Sequence, residues 1–124
     1  PLLIQTLAGG RSIVLWTNPG DPYAATRSAG QRVLRTVADG VRELLSTTPV
    51  SGLMTVGGDT AQAVFRALRA SGLVLAGEVS PGVAYGRLLN GPFAGLLTAT
   101  KAGGFGADTV IGECLTFLQQ TAAQ

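Results

Sequence analysis

The period of hydrophobic and polar positions changes several times along this chain, and each change predicts an element. Leu2-Leu3-Ile4-Gln5-Thr6-Leu7 reads as the end of a helix stopped by Gly9-Gly10. Ser12-Ile13-Val14-Leu15-Trp16-Thr17 is a short continuous apolar run, suited to a strand buried on both faces, and Asn18-Pro19-Gly20-Asp21-Pro22 ends it as a loop. The longest helical pattern covers residues 28–46. There Val33, Leu34, Val37, Val41, Leu44 and Leu45 recur at helical spacing, while Arg32, Arg35, Asp39, Arg42 and Glu43 fall mostly on the other side. Pro49 closes that segment.

Leu53-Met54-Thr55-Val56 predicts another buried strand. It runs into Gly57-Gly58-Asp59-Thr60, and a helical pattern follows from Ala61. Asp59 is placed to be the N-cap, with Gln62 three positions on as in a capping box. Ala61, Val64, Phe65 and Leu68 give the buried face, and Gly72 is the expected stop. Leu73-Val74-Leu75-Ala76 is a further apolar strand. Ser80-Pro81-Gly82-Val83 has Pro and Gly in the order of a type II turn. Residues 83–89 and 93–100 read as extended, with Asn90-Gly91-Pro92 joining them as a hairpin. Lys101-Ala102-Gly103-Gly104-Phe105-Gly106 then leads to a last helix with Val110, Ile111, Cys114, Leu115 and Leu118 inward. Helices alternating with short apolar strands predict an α/β fold: a layered sandwich with a mostly parallel or mixed sheet flanked by helices.

Composition narrows this picture. The 124 residues suit one domain, 46% hydrophobic and only 13% charged, so the chain is globular and has apolar surface left for further sequence or a partner; a homodimer is compatible. It begins at Pro1 without a signal-peptide layout, which reads as a piece of a longer protein. No apolar run is long enough to span a membrane. The net charge of +2 comes from scattered arginines with no basic stripe, which argues against nucleic-acid binding. The single cysteine, Cys114, cannot form an internal disulfide and fits a cytoplasmic setting. The absence of histidine removes His-based acid–base chemistry, a Ser–His triad and the usual zinc sites.

The candidate chemistry lies in the two glycine turns. Each follows a strand and precedes a helix. Such a turn lets backbone N–H groups approach a ligand, and the helix start adds unpaired N–H groups and the positive end of its dipole. Together these suit phosphate, and two in one small domain suggest a nucleotide. Both turns should sit at the carboxyl edge of the sheet, where ligands of such folds bind. Neither is a P-loop, since Lys101 precedes its glycines, and no Gly-x-Gly-x-x-Gly opens the first strand–helix unit. Gly103, Gly104 and Gly106 are the leading site candidates, with Gly57 and Gly58 beside them. Thr60 offers a hydroxyl to phosphate or is a plain first-turn residue. Asp59 read alone is a cap; as a ligand it would need Mg²⁺ or its own N–H bonds to offset repulsion from phosphates. Lys101, the sole lysine, is placed to neutralise charge on the β- or γ-phosphate rather than to be an ordinary solvated side chain. Glu78 suits a turn cap or a ribose or adenine contact. Phe105, Trp16, Tyr23, Tyr85 and Cys114 read as packing residues.

Three motifs in order carry a resemblance: Gly57-Gly58-Asp59-Thr60-Ala61, then Gly77-Glu78-x-x-Pro81-Gly82-Val83, then Thr100-Lys101-Ala102-Gly103-Gly104-Phe105-Gly106. One alone would be weak; three at compatible spacing are specific. In firm motifs over roughly its last two thirds, and in general layout over the rest, the chain resembles the C-terminal nucleotide-binding domain of the four-carbon acid sugar kinases. The resemblance implies ATP-dependent, Mg²⁺-assisted phosphorylation of a sugar acid such as threonate, erythronate or a 3-oxo-tetronate, the acid being held by a separate N-terminal domain. It implies ATP or ADP contacts at Gly57, Gly58, Asp59, Thr60 and Gly103. The family's domain normally opens with a serine-containing strand–turn segment that also touches ATP, and this chain starts after it; Ala84 stands where proline is common. The expectation is therefore a single nucleotide-binding domain over 1–124, the C-terminal part of a two-domain kinase without its first strand–helix segment and inactive alone. The rival readings are a non-catalytic module sensing a nucleotide or phosphometabolite and, third, a fragment of a dinucleotide-dependent oxidoreductase.

Overall fold

The computed structural model describes residues 2–15, 27–103 and 109–122. The elements are α1 (Leu2–Ala8), α2 (Arg27–Thr47), β1 (Leu53–Val56), α3 (Gly58–Ala67), β2 (Gly72–Ser80), β3 (Val83–Leu89), β4 (Leu97–Lys101) and α4 (Val110–Ala122). The strands form one sheet in the order β1-β4-β3-β2. It is mixed: β1 and β4 are parallel, and β3 is antiparallel to both β4 and β2. Strands β1, β4 and β2 therefore run the same way and end on one edge.

Period-two alternation sends side chains to two helical layers. Ala38, Val64, Leu68 and Leu88 are buried together, with Val41 of α2 and Leu53 of β1 packed against them. On the opposite face Leu97, Ala99 and Leu118 are buried with Met54 and Tyr85, and Val83, Val110 and Cys114 form the adjoining cluster. The Tyr85 ring meets Phe117 edge-on at 4.6 Å, so its role is packing, as expected. The Ser80–Val83 turn matches the sequence, and Gly82 takes the left-handed φ (+83°) that a type II turn requires. The β3–β4 hairpin also forms, but residues 93–96 belong to its turn rather than to a strand, with Gly95 N–H donating to Leu88 O and β4 starting at Leu97.

Several expectations need correction. Residues 12–15 form no strand; Val14 is 53% and Leu15 45% exposed. Residues 16–26, including Trp16, Tyr23 and the Asn18–Pro22 loop, lie outside the described part. Strand β1, expected to be buried, is a sheet edge in which only Thr55 is fully buried and Val56 is exposed, and β2 is the other edge, with Val74 and Leu75 exposed. In α2, Val33 is exposed and Ala38 is the buried residue. In α4, Ile111 is exposed. Helix α3 stops at Ala67, five residues before Gly72, because Arg69 turns left-handed (φ 58°) and Ala70 N–H closes on Phe65 O at 3.0 Å.

Candidate functional site

The first glycine turn is built by backbone conformation. β1 ends at Val56, and Gly57 takes φ 96° and ψ 138°, a region that L side chains avoid. That sharp exit lets α3 start at Gly58, with Ala61 N–H donating to Gly57 O at 3.0 Å. Gly57 is thus the N-cap, and no side chain caps the helix. The expected capping role of Asp59 is corrected: the helix begins before it, and Asp59 is an exposed residue of the first turn. Helix geometry leaves the first-turn N–H groups without intrahelical partners, so they face the sheet edge as free donors. Thr60 folds back towards the turn, its Oγ1 3.7 Å from where a methyl on Gly57 would stand.

The second turn lies beside the first because β1 and β4 are neighbours, with Val56 in register with Lys101. Gly57 N–H donates to Lys101 O at 2.8 Å and ties the turns together. A methyl on Gly103 would stand 3.9 Å from Gly57 Cα. Lys101 Nζ donates to its own turn, to Ala102 O at 3.0 Å and Gly103 O at 3.3 Å. Gly104, Phe105 and Gly106 lie outside the described residues. Beyond them α4 opens with Glu113 N–H donating to Thr109 O and Thr109 Oγ1 donating to Glu113 Oε1 at 2.9 Å.

The register extends this edge across the sheet. Ser80 pairs with Val83, Val83 with Lys101, and Lys101 with Val56; one step in, Glu78 pairs with Ala84, Ala84 with Thr100, and Thr100 with Thr55. The Gly57–Thr60 turn, the Pro81-Gly82 turn and the start of the Lys101–Gly106 stretch therefore share one edge, although they are far apart in sequence. Glu78 is exposed and lies on β2, separated from the β1 end at Gly57 by the two strands β4 and β3.

Charge at the edge is sparse. Lys101 is its cation, and its field reaches the fully buried Cys114: burial, reinforced by Glu113, pushes that thiol up from 9.0, and Lys101 pulls the other way. Cys114 is therefore a protonated core residue, not an activated thiolate. No group of three or more His, Cys, Asp or Glu that could hold a metal occurs among the described residues. The donor set, several backbone N–H groups plus one ammonium, suits a polyphosphate. A divalent cation there would take most of its ligands from phosphate oxygens and water, with Asp59 the nearest carboxylate by sequence.

Sequence reasoning missed Thr55. It is 3% exposed, and its Oγ1 has no hydrogen-bond partner among the described residues. A hydroxyl inside an otherwise apolar strand was the available signal. It also lines a cleft of about 630 Å³ that runs from residues 10–15 along β1 to Thr60.

Residues 4–111 match the family described as a nucleotide-binding C-terminal domain. A D-threonate kinase of Bordetella bronchiseptica is 43% identical over 79 residues, covering 64% of this chain and 20% of that protein. A D-threonate kinase of Salmonella typhimurium is 32% identical over 91 residues (73% and 22%), and a D-erythronate kinase of Heliobacterium modesticaldum 36% over 94 residues (71% and 21%). A crystal structure from Bordetella bronchiseptica, described as a domain of unknown function with bound citrate and a domain-swapped dimer, superposes with a TM-score of 0.79 at 31% identity, covering 95% of this chain and 30% of that one. The chain thus spans about a fifth of the length of the curated relatives it matches. It belongs to the nucleotide-binding C-terminal domain family, as the resemblance in its three motifs implied.

Proposed function

We propose that this chain is the ATP-binding part of a cytoplasmic kinase that phosphorylates a four-carbon sugar acid of the threonate or erythronate type. The observation that carries the reading is the adjacency of the two glycine turns at the ends of parallel β1 and β4, joined by the Gly57–Lys101 hydrogen bond. The names of the relatives supply the substrate class, and their greater length supports a separate domain that holds the acid.

In this reading the backbone N–H groups of Gly58, Asp59 and Thr60 hold phosphate oxygens, and Gly57 and Gly103 keep the approach clear. Gly104 and Gly106, outside the described residues, are assigned to the same phosphate site from their motif alone. Lys101 leaves its own turn's carbonyls and places its ammonium against the β- or γ-phosphate. Bound Mg²⁺ would neutralise charge on the phosphate oxygens. Phosphoryl transfer needs mainly positioning and charge neutralisation, which this edge supplies. The group that accepts the substrate hydroxyl's proton belongs to the acid-binding domain, so residues 1–124 alone bind nucleotide without turnover.

Calorimetric titration with ATP·Mg²⁺, ADP and NADH tests this, alongside a Lys101→Ala, Gly103→Val double variant. Saturable ATP or ADP binding that the variant abolishes is the expected result. Preference for NADH, or phosphorylation of threonate by residues 1–124 alone, would overturn the reading or its division of labour.

A further inference from the structure

The edge of the sheet farthest from the Gly57 turn is open. β2 pairs with β3 on one side and with no described strand on the other. An exposed strand edge is a template for another strand, and natural edges are guarded by lysine, proline, bulges or short length. β2 runs for nine residues, Gly72–Ser80, without a lysine, arginine or proline. Its guards are one charge, Glu78, and bulges that begin only after Leu75; over Gly72–Leu75 the register with β3 is regular.

Apolar side chains stand uncovered on both faces of this edge. Leu73 packs with Leu68 and Leu88 under α2 and α3, so Leu75, two residues on and 67% exposed, shares that face. Val74 is on the α4 face and 56% exposed, and Leu89 of β3, on that face too, is 44% exposed beside Gly72, which has no side chain to cover it. The occupant that fits is a strand, apolar on both faces, which also satisfies the backbone edge. The edge is complementary to itself. A two-fold axis normal to the sheet keeps each helical layer on its own side, so paired residues lie on matching faces. With Val74 opposite Val74 of a second copy, Leu73 faces the copy's Leu75 and Leu75 its Leu73. Glu78 pairs with Ala84 and so lies on the Leu88 side; it is carried towards the copy's exposed Arg69, in the turn that follows α3. Within one copy these two charges lie at opposite ends of β2, whereas the two-fold brings both pairs together at once.

We propose that a second copy of this chain pairs with it through β2, antiparallel about Val74, so that two four-stranded sheets become one. Val74, Leu75 and Leu89 of each copy are then covered, and Glu78 of each meets Arg69 of the other. β1 lies at each outer end of the joined sheet, so the glycine turns of both copies stay open. The regular contact is short, which places the buried area below about 1,200 Å² and the affinity in the micromolar class. Pairing through β2 does not depend on what the carboxyl edge binds.

Sedimentation velocity of the whole polypeptide that carries residues 1–124, from about 1 to about 200 μM, reads the pairing. A dimer should form within that range, and the amides of residues 73–76 should exchange at least about tenfold more slowly as it fills. Leu75→Lys, at a side chain already exposed, should keep Tm within about 2 °C where the wild type is monomeric, and raise the dimer Kd at least about tenfold. Glu78→Arg and Arg69→Glu should each weaken self-association about tenfold. An equimolar mixture of those two variants should recover it, because the mixed pair sets opposite charges at both contacts. A monomer at every concentration would overturn the inference. So would a dimer whose Kd is unmoved by Leu75→Lys and by both charge reversals, which is built elsewhere, for example by exchange of a domain. Protection of residues 73–76 in the monomer at the lowest concentration would overturn it too, since a segment of the same polypeptide then covers the edge.

Discussion

Two groups of glycines in this domain have opposite surroundings. In the β2–β3 hairpin, Gly86 is buried against the neighbouring strand, where any Cβ would collide with the Val74 carbonyl oxygen. At the carboxyl edge, a Cβ on Gly58 would meet nothing within 4 Å, and one on Gly103 would meet only Gly57 Cα at 3.9 Å. The first group is glycine because the fold already occupies the space. The second is glycine although the fold leaves the space open, as it also does at Gly30, Gly40 and Gly112; at the edge, the proposed function gives that space to phosphate.

This contrast can be broken by substitution. The largest effect is expected at Gly86→Ala, which must separate β2 from β3; circular dichroism should show a Tm lower by more than about 10 °C, or no cooperative transition. Lys101→Ala should leave Tm within about 2 °C and weaken ATP by about tenfold or more in calorimetry, with Lys101→Arg recovering only part, since a guanidinium is not the same point charge. Gly58→Ala should split stability from binding: about 0.4–1 kcal/mol more stable in urea unfolding, because the unfolded chain loses freedom, yet several-fold weaker for ATP. If Gly58→Ala left affinity intact, the open space at the first turn would not be a phosphate site.

The smallest effect concerns Cys114. Its thiol pKa is raised in the folded protein, so the folded state holds its proton more tightly than the unfolded one. Its contribution is fully present below about pH 9 and declines as pH rises above it. Cys114→Ala should flatten that alkaline decline in Tm, and below pH 9 a thiol reagent should modify the wild-type protein only as fast as the core opens.

What was legible in the sequence followed locality. Hairpin and turn residues announced themselves through Pro81-Gly82 and Asn90-Gly91, and α2 through its helical period, because each depends on neighbours in the chain. The start of α3 was misread because a polar residue near a helix start looks like a cap, whereas Gly57 had the conformational freedom to begin the helix two residues earlier. The apolar runs at 12–17 and 73–76 read as strands, yet Val14, Leu15, Val74 and Leu75 are exposed, because composition carries no information on which neighbour covers a run. Strand order is equally non-local: nothing near Leu53 indicates that Thr98 lies beside it. The candidate site was readable as three motifs, and the two glycine turns as lying at the carboxyl edge because each follows a strand; that the Pro81-Gly82 turn shares that edge needed the register.

The hydrogen bond from Gly57 N–H to Lys101 O has a consequence for how a ligand is received. Two loops that move independently each lose freedom when a ligand bridges them, and that loss weakens binding. Here the first turn and the base of the second are fastened before any ligand arrives, so the loss belongs to folding. A molecule that spans both turns should then bind with a smaller entropic penalty than two fragments that each touch one, and loosening either strand end should weaken contacts made at the other.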